Sequence, residues 1–515
     1  MPPVTQPPSV PIPSRPRRSA TGRRLDHNVS LLTGVLGFVV AGYLLFDRAF
    51  AWIHIPGTPI FVGEVALAAG FFVVLQTPQL GRLIRVSRPI QFLLLFMLWG
   101  LALAFQGFGN WGIDAVRDSA LWYYGGFALI SAALLLYKPD LWEQTTDRLV
   151  RFIPFLLTLL IVRLVFAQTA IGPRIPDSQI RLTAHKPANI AVNVAIVLAL
   201  LLIVAGPSVS RELRGRARIF TLLGLLLVVA VGTQSRGGFV AAFMVLAVVF
   251  YVARHVRGLI IGVVGLAVLV AVLAAALDVK IQLERRELSV EQVLENIKSI
   301  TEEASAGGRY DNTTQWRLAL WKLVSKDVLQ TERVLAGFGF GENLALRFDF
   351  ESESESVPLR NPHNSHLSVL ARMGTVGMAL WIAMFATWYM GLIRARRQFL
   401  ELGEDRRANL ALWLMLGVSG ILINAFFDPT LEGPQVGIIL WLLFGAGATL
   451  GIGARSLGGR RRGRHSPRVV EWLLHETVAP ISSAHPSQHL SPDPLEVVTG
   501  FDELLEETGD ASDPE

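Results

Sequence analysis

No cysteine occurs in the sequence, so disulfides, thiol catalysis and cysteine-based metal sites are all excluded. No internal repeat is visible along the chain. Charge of one sign is also scarce: 47 Lys+Arg against 41 Asp+Glu leave +6, too little to argue for a nucleic-acid partner. What the 515 residues do have is apolar mass, 52% hydrophobic residues with a mean hydropathy of +0.46. That is too apolar for an ordinary soluble protein.

The apolar residues come in blocks near 29–46, 58–76, 89–106, 119–137, 152–168, 189–206, 218–233, 237–253, 258–277, 366–392, 408–427 and 435–453. Each block is on the scale of a membrane-spanning helix, roughly 17–25 residues. Arginine and lysine gather in every second connection: Arg82, Arg85 and Arg88; Lys138, Arg148 and Arg151; Arg211, Arg214 and Arg216; Arg254 and Arg257; Arg394, Arg396 and Arg397; Arg460, Arg461, Arg462 and Arg464. Basic short loops stay on the cytoplasmic side. The pattern predicts an all-α integral membrane protein of about twelve transmembrane helices with both termini cytoplasmic.

On this reading residues 1–28 are a disordered cytoplasmic tail, rich in Pro, Ser and Arg. Ala49-Phe50-Ala51 resembles a signal-peptide cleavage site, but the run from Val29 to Phe46 is longer than a signal core, which favours an uncleaved helix. Residues 29–277 carry the first nine transmembrane helices and 366–453 the last three. One long segment, 278–365, falls outside the cytoplasm between the ninth and tenth. It has amphipathic helical spacing at Leu288, Val290, Val293, Leu294 and Ile297, and again at Trp316, Leu320, Trp321 and Val324. Gly337-Phe338-Gly339-Phe340-Gly341 reads as a loop, and 351–356 is acidic and Ser-rich. Residues 454–515 form a second cytoplasmic tail, mostly disordered.

Ionisable residues within apolar segments are costly and mark function by default. Glu64, Asp118, Arg163, Arg372 and Asp428 all fall near the outer ends of their predicted helices. Together they suggest a polar cavity open to the outer leaflet; singly, each could be an end-of-helix residue reaching the interface. Arg236 sits at a near-loopless turn, Gln234-Ser235-Arg236-Gly237-Gly238, where a guanidinium fork could bind phosphate oxygens or form a structural ion pair. His363, in Asn361-Pro362-His363-Asn364-Ser365-His366, falls at the outer surface just before a helix that Asn364 or Ser365 could cap. Near neutral pH an imidazole is a competent general base. The two histidines lack a carboxylate at metal-ligand spacing.

These features resemble the O-antigen ligase and polymerase superfamily of membrane glycosyltransferases. His363-Asn364, nine residues, then Gly374-Thr375-Val376-Gly377 is similar to the family's His-Asn and Gly-x-x-Gly arrangement. Ser235-Arg236-Gly237-Gly238 is similar to its Ser-Arg-Gly-Gly turn. Arg317-Leu318-Ala319-Leu320-Trp321 ahead of the Gly337–Gly341 loop resembles its Arg/Trp helix and Gly-rich loop. The likeness covers about 230–380. Arg372 departs from it, standing where an acidic or neutral residue is expected, which leaves room for a different acceptor or ion-pair network.

The resemblance implies a GT-C-like fold in a bacterial cytoplasmic (inner) membrane, serving cell-envelope polysaccharide synthesis. It implies transfer of a glycan from a polyprenyl-diphosphate carrier to a lipid, cell-wall, protein or glycan hydroxyl, with inversion and without cofactor, ATP or metal. His363 would be the base; Arg236 and Arg317 would bind the diphosphate. Arg181, His185, Asn364 and Arg372 are further substrate-contact candidates. The competing reading is a lipid-linked glycan flippase, which would predict a repeat and a midplane site.

Overall fold

The computed structural model describes residues 20–167, 173–175, 180–205, 211–232, 234–253, 311–349 and 360–461, with short pieces between 258 and 288. Most of the ninth apolar block, residues 350–359 and the tail residues 1–19 and 462–515 lie outside the described residues. The helices are α1 (Ala20–Phe46), α2 (Val62–Val74), α3 (Gln79–Val86), α4 (Arg88–Trp111), α5 (Ile113–Tyr137), α6 (Leu141–Ala167), α7 (Pro187–Ala205), α8 (Arg211–Gly232), α9 (Arg236–Val252), α10 (Asp311–Gln330), α11 (Ser365–Glu401), α12 (Asp405–Ala425) and α13 (Pro434–Arg461). Each described apolar block therefore folds as helix. Two ends run past the predicted bounds: α1 begins at Ala20 inside the expected tail, and α13 continues to Arg461.

Eight helices are long and apolar enough to cross a membrane, or nine if α2 and α3, bent by 96°, count as one span. The ninth expected span lies largely outside the described residues, and among the other eleven the difference from eight or nine has local causes. The second block yields only the 13-residue α2, and Thr77-Pro78 just past it separates α2 from α3, because a residue before proline is pushed out of the helical region. The apolar parts of α8 and α9, Ala217–Gly232 and Arg236–Val252, stop short of a full span. In the long connection, Leu288 belongs to a two-stranded ladder, Ile281–Leu283 against Arg286–Leu288, and not to the expected helix; residues 289–297 are outside the described residues. The second expected helix is α10, whose Leu320 and Val324 are buried beside Leu344 and Ala371. Ala49, Phe50 and Ala51 are buried in the core, Phe50 edge-on to Tyr43 at 4.9 Å, so this segment packs as part of the fold.

Small residues let these helices touch backbone to backbone, as apolar helices in lipid must. A Cβ on Gly445 of α13 would lie 2.1 Å from the Ala128 carbonyl of α5. Beside it Ser131 donates to the Leu442 carbonyl at 3.0 Å. Buried indoles also donate to carbonyls: Trp388 to Phe444 at 2.7 Å and Trp413 to Ile196 at 3.0 Å.

The long helix α11 is broken at Gly374, with φ 63° and ψ −164°. The break frees carbonyls that other segments then use. Phe338 N–H donates to the Ala371 carbonyl at 2.7 Å, and Trp99 Nε1 to the Met373 carbonyl at 2.9 Å. The Gly-rich loop thereby docks on α11. Gly374→Ala would place a Cβ 2.2 Å from the Leu335 carbonyl in a left-handed backbone. The strain alone costs on the order of 1–3 kcal/mol, so the variant should show a clearly lower unfolding temperature in detergent. An unchanged melting temperature would mean the helix can straighten there.

Candidate functional site

The loop ahead of α11 is held from several directions. Asn364 caps the helix, its Oδ1 accepting from His366 N–H at 3.0 Å and Leu367 N–H at 3.1 Å. Trp321 Nε1 donates to the Pro362 carbonyl at 2.6 Å, and Asn361 Nδ2 to Glu432 at 2.7 Å. Between these anchors His363 takes φ 52°, a left-handed conformation that non-glycine residues rarely adopt. Its own N–H donates to Asn361 Oδ1 at 3.2 Å.

The ring of His363 lies edge-on to Trp316, centroids 6.0 Å apart. Its Nδ1 is buried, makes no hydrogen bond, and sits 4.0 Å from Asp428 Oδ1. Asp428 is paired with Lys186 Nζ at 3.1 Å. Arg317, on α10, donates to the neighbouring Phe427 carbonyl at 3.2 Å. Burial pushes the His363 imidazole down to about 4; Arg317 and Lys186 add to this and Asp428 opposes it. The ring is therefore neutral near pH 7.

Arg236 opens α9, where Ser235 Oγ accepts from Gly238 N–H at 3.4 Å. The two glycines are there for contact. A Cβ on Gly237 would lie 2.5 Å from Phe427, and one on Gly238 2.5 Å from Ala188 Cα. The Arg236 turn thus packs on the same Phe427–Asp428 turn that Arg317 and His363 approach, and on the start of α7 beside Lys186. Four separate chain segments converge there.

Other sequence candidates have different surroundings. His185 Nδ1 is 2.9 Å from the Thr183 carbonyl, and burial lowers its pKa. Arg181 is half-buried in an isolated bridge with Arg174. Asn364 is 3% exposed with its side-chain oxygen engaged in the cap. Arg372 is 4% exposed and ion-pairs with Asp118 at 2.9 Å, while also donating to the carbonyls of Glu342 at 2.7 Å and Gly339 at 3.3 Å. Its environment is that of a clamp on the Gly-rich loop, away from open solvent. His366 has both nitrogens engaged, by the Leu422 carbonyl at 2.9 Å and the Trp381 indole at 3.2 Å.

The remaining charges expected to line a cavity are held by neutral partners. Glu64 accepts from Tyr123 and Tyr124 at 2.8 and 2.7 Å, and Arg163 donates to the carbonyls of Leu45 and Ala184. Glu432, which holds Asn361 and Ser368, is pushed up to about 7 by burial. Sequence reasoning missed Lys186, which looks like an ordinary loop lysine. The available signal was its place directly before Pro187, at a helix start where a cation is unfavourable without a partner.

No curated protein matches the chain. A family model described as O-antigen ligase matches residues 219–382, a stretch that holds Arg236, Arg317, His363 and Arg372. Residues 219–382 of this polytopic membrane protein are therefore similar to the O-antigen ligase family.

Proposed function

We propose that the cluster around the Phe427–Asp428 turn transfers a glycan from a polyprenyl-diphosphate carrier to an acceptor hydroxyl. The transfer takes place at the outer face of a bacterial cytoplasmic membrane, with both termini of the protein cytoplasmic. The observation that carries the reading is His363, neutral, fixed in a strained backbone, with Nδ1 toward Asp428 and cations on either side. With the ring proton on Nδ1, Asp428 orients the imidazole and Nε2 is the basic nitrogen.

The acceptor hydroxyl oxygen attacks the anomeric carbon, and the carbon–oxygen bond to the diphosphate breaks with its electron pair leaving on that oxygen. The hydroxyl proton goes to His363 Nε2. Arg236 and Arg317 hold the diphosphate, whose negative charge grows as the bond breaks; fixed cations aimed at that charge lower the barrier. The single-face displacement inverts the anomeric centre. Arg181 and His185 are outlying contacts for the diphosphate or acceptor, and Asn364 and Arg372 act by placing His363 and the Gly-rich loop. Whether the acceptor is a lipid, a cell-wall polymer, a protein or another lipid-linked repeat distinguishes ligase from polymerase; the His-Asn motif favours the ligase.

Reconstitution with polyprenyl-diphosphate glycan and candidate acceptors tests this. Wild type should form a new glycosidic bond, and Arg317→Gln should lose about 10²–10³-fold in kcat, as for removal of one charge-stabilising donor. Movement of labelled lipid-linked glycan across the bilayer without bond formation would replace transfer with transport.

A further inference from the structure

Within the helix bundle, α1, α5, α6, α12 and α13 enclose an apolar cavity of about 460 Å³. Two contacts fix its orientation. Tyr137, just before α6, donates to Asp26 near the start of α1 at 3.0 Å, while Arg163 near the end of α6 reaches the Leu45 carbonyl near the end of α1. The two helices therefore run parallel, and Arg148 lies at the Asp26 end. Gly34, Gly37, Thr145 and Arg148 line the cavity and are exposed, whereas Trp413, Leu414 and Ile439 behind them are buried. The cavity is thus open along α1 and α6, with α12 and α13 as its floor.

The glycines on α1 differ in purpose. A Cβ on Gly42 would meet Phe50 at 2.4 Å, so its smallness serves packing. Gly34 and Gly37 have nothing within 4 Å of a built Cβ, so theirs leaves open space on the cavity face. Along α1 the lining runs from Thr33 to Leu44, about 17 Å at a rise of roughly 1.5 Å per residue. That is about half of a hydrocarbon core of roughly 30 Å, the depth of one leaflet. Arg148 is the charged residue in a wall whose lining holds no carboxylate, and its chain neighbour Asp147 is paired with Arg406 at 2.6 Å. From two turns inside α6 its side chain can extend to the headgroup level.

We propose that this cavity holds an acyl chain of an anionic phospholipid from the leaflet on the Arg148 side, with the Arg148 guanidinium on the headgroup phosphate. The length of the lining selects a chain of about one leaflet's depth over a longer one crossing both, and Arg148 at one end sets the side. The lone cation, without a competing carboxylate, selects a net negative headgroup over a zwitterionic one. The site is independent of the reaction proposed above.

Native mass spectrometry of the full chain, loaded with phosphatidylglycerol or phosphatidylcholine of identical acyl chains, tests it. Wild type should retain phosphatidylglycerol preferentially. Gly37→Leu, which fills the cavity, should lower retention of both lipids. Arg148→Gln should reduce the preference for phosphatidylglycerol by roughly fivefold, the size of one arginine acting at a headgroup, and leave phosphatidylcholine unchanged. Arg148→Gln alters an exposed side chain and keeps the test decisive if Gly37→Leu fails to insert. Equal retention by wild type and Gly37→Leu, or a preference that survives Arg148→Gln, would overturn the proposal. So would displacement of phosphatidylglycerol by equimolar polyprenyl monophosphate.

Discussion

His363→Asn should reduce glycosyl transfer by about 10²–10⁴-fold in kcat, the contribution of a positioned general base. Asparagine is the informative replacement because it accepts a left-handed backbone, so the φ of 52° need not change. Thermal unfolding should accordingly stay near that of wild type. The pH dependence supplies a second reading. In the free protein the imidazole is held down to about 4 by burial and by Arg317 and Lys186, so it stays unprotonated through mildly acid pH. The acid limb of kcat/KM should therefore lie near or below pH 5. A bound diphosphate offsets the two cations and favours the imidazolium, so the acid limb of kcat should lie at higher pH than that of kcat/KM. Coincident limbs, or a His363→Asn enzyme at full rate, would remove His363 from the proton transfer.

Arg372→Met should be the most destabilising of the charge-removing substitutions, costing about 3–5 kcal/mol, because it breaks a buried pair and leaves the partner charge behind. Among the described residues, Asp118, 2.9 Å away, then keeps the Gly341 N–H at 3.2 Å and Arg360 at 3.6 Å. Two carbonyls of the Gly-rich segment, Gly339 and Glu342, lose their donor as well. Adding Asp118→Asn removes the stranded charge, so the double variant should unfold at a higher temperature than Arg372→Met alone. A loss below about 1 kcal/mol, the scale of an exposed pair, would show that Arg360 takes over the role of Arg372.

These two residues also show what the sequence made legible. His363 could be read from its chain neighbours: Asn364 signals a helix cap, and Gly374 and Gly377 signal a close approach farther along. The helices were legible because lipid demands long apolar runs, and no tertiary contact is needed to see one. Span count was less so, since a bend at Pro78 follows one short run and the ends of α8 and α9 depend on what they pack against. The pairing of Arg372 with Asp118 could not be read at all. The two are far apart in sequence, and an arginine inside an apolar helix looks the same whether it faces a substrate or a carboxylate. Lys186 escaped notice for the same reason, its partner Asp428 being 242 residues away.

That last separation bears on how the protein is made. Chains leave the ribosome from the N-terminus, and early segments settle before late ones exist. Asp47, bonded to the Lys186 N–H at 2.6 Å and to Asn189 at 2.9 Å, can close its network once α7 has been synthesised. The Lys186 ammonium and the His363 ring must wait for Asp428, which arrives only after α12. A nascent chain inserted through α11 already holds both arginines and the histidine, yet lacks the Phe427–Asp428 turn that Arg317 and His363 approach. On the proposed reaction, a product terminated before α12 should form no glycosidic bond from lipid-linked glycan.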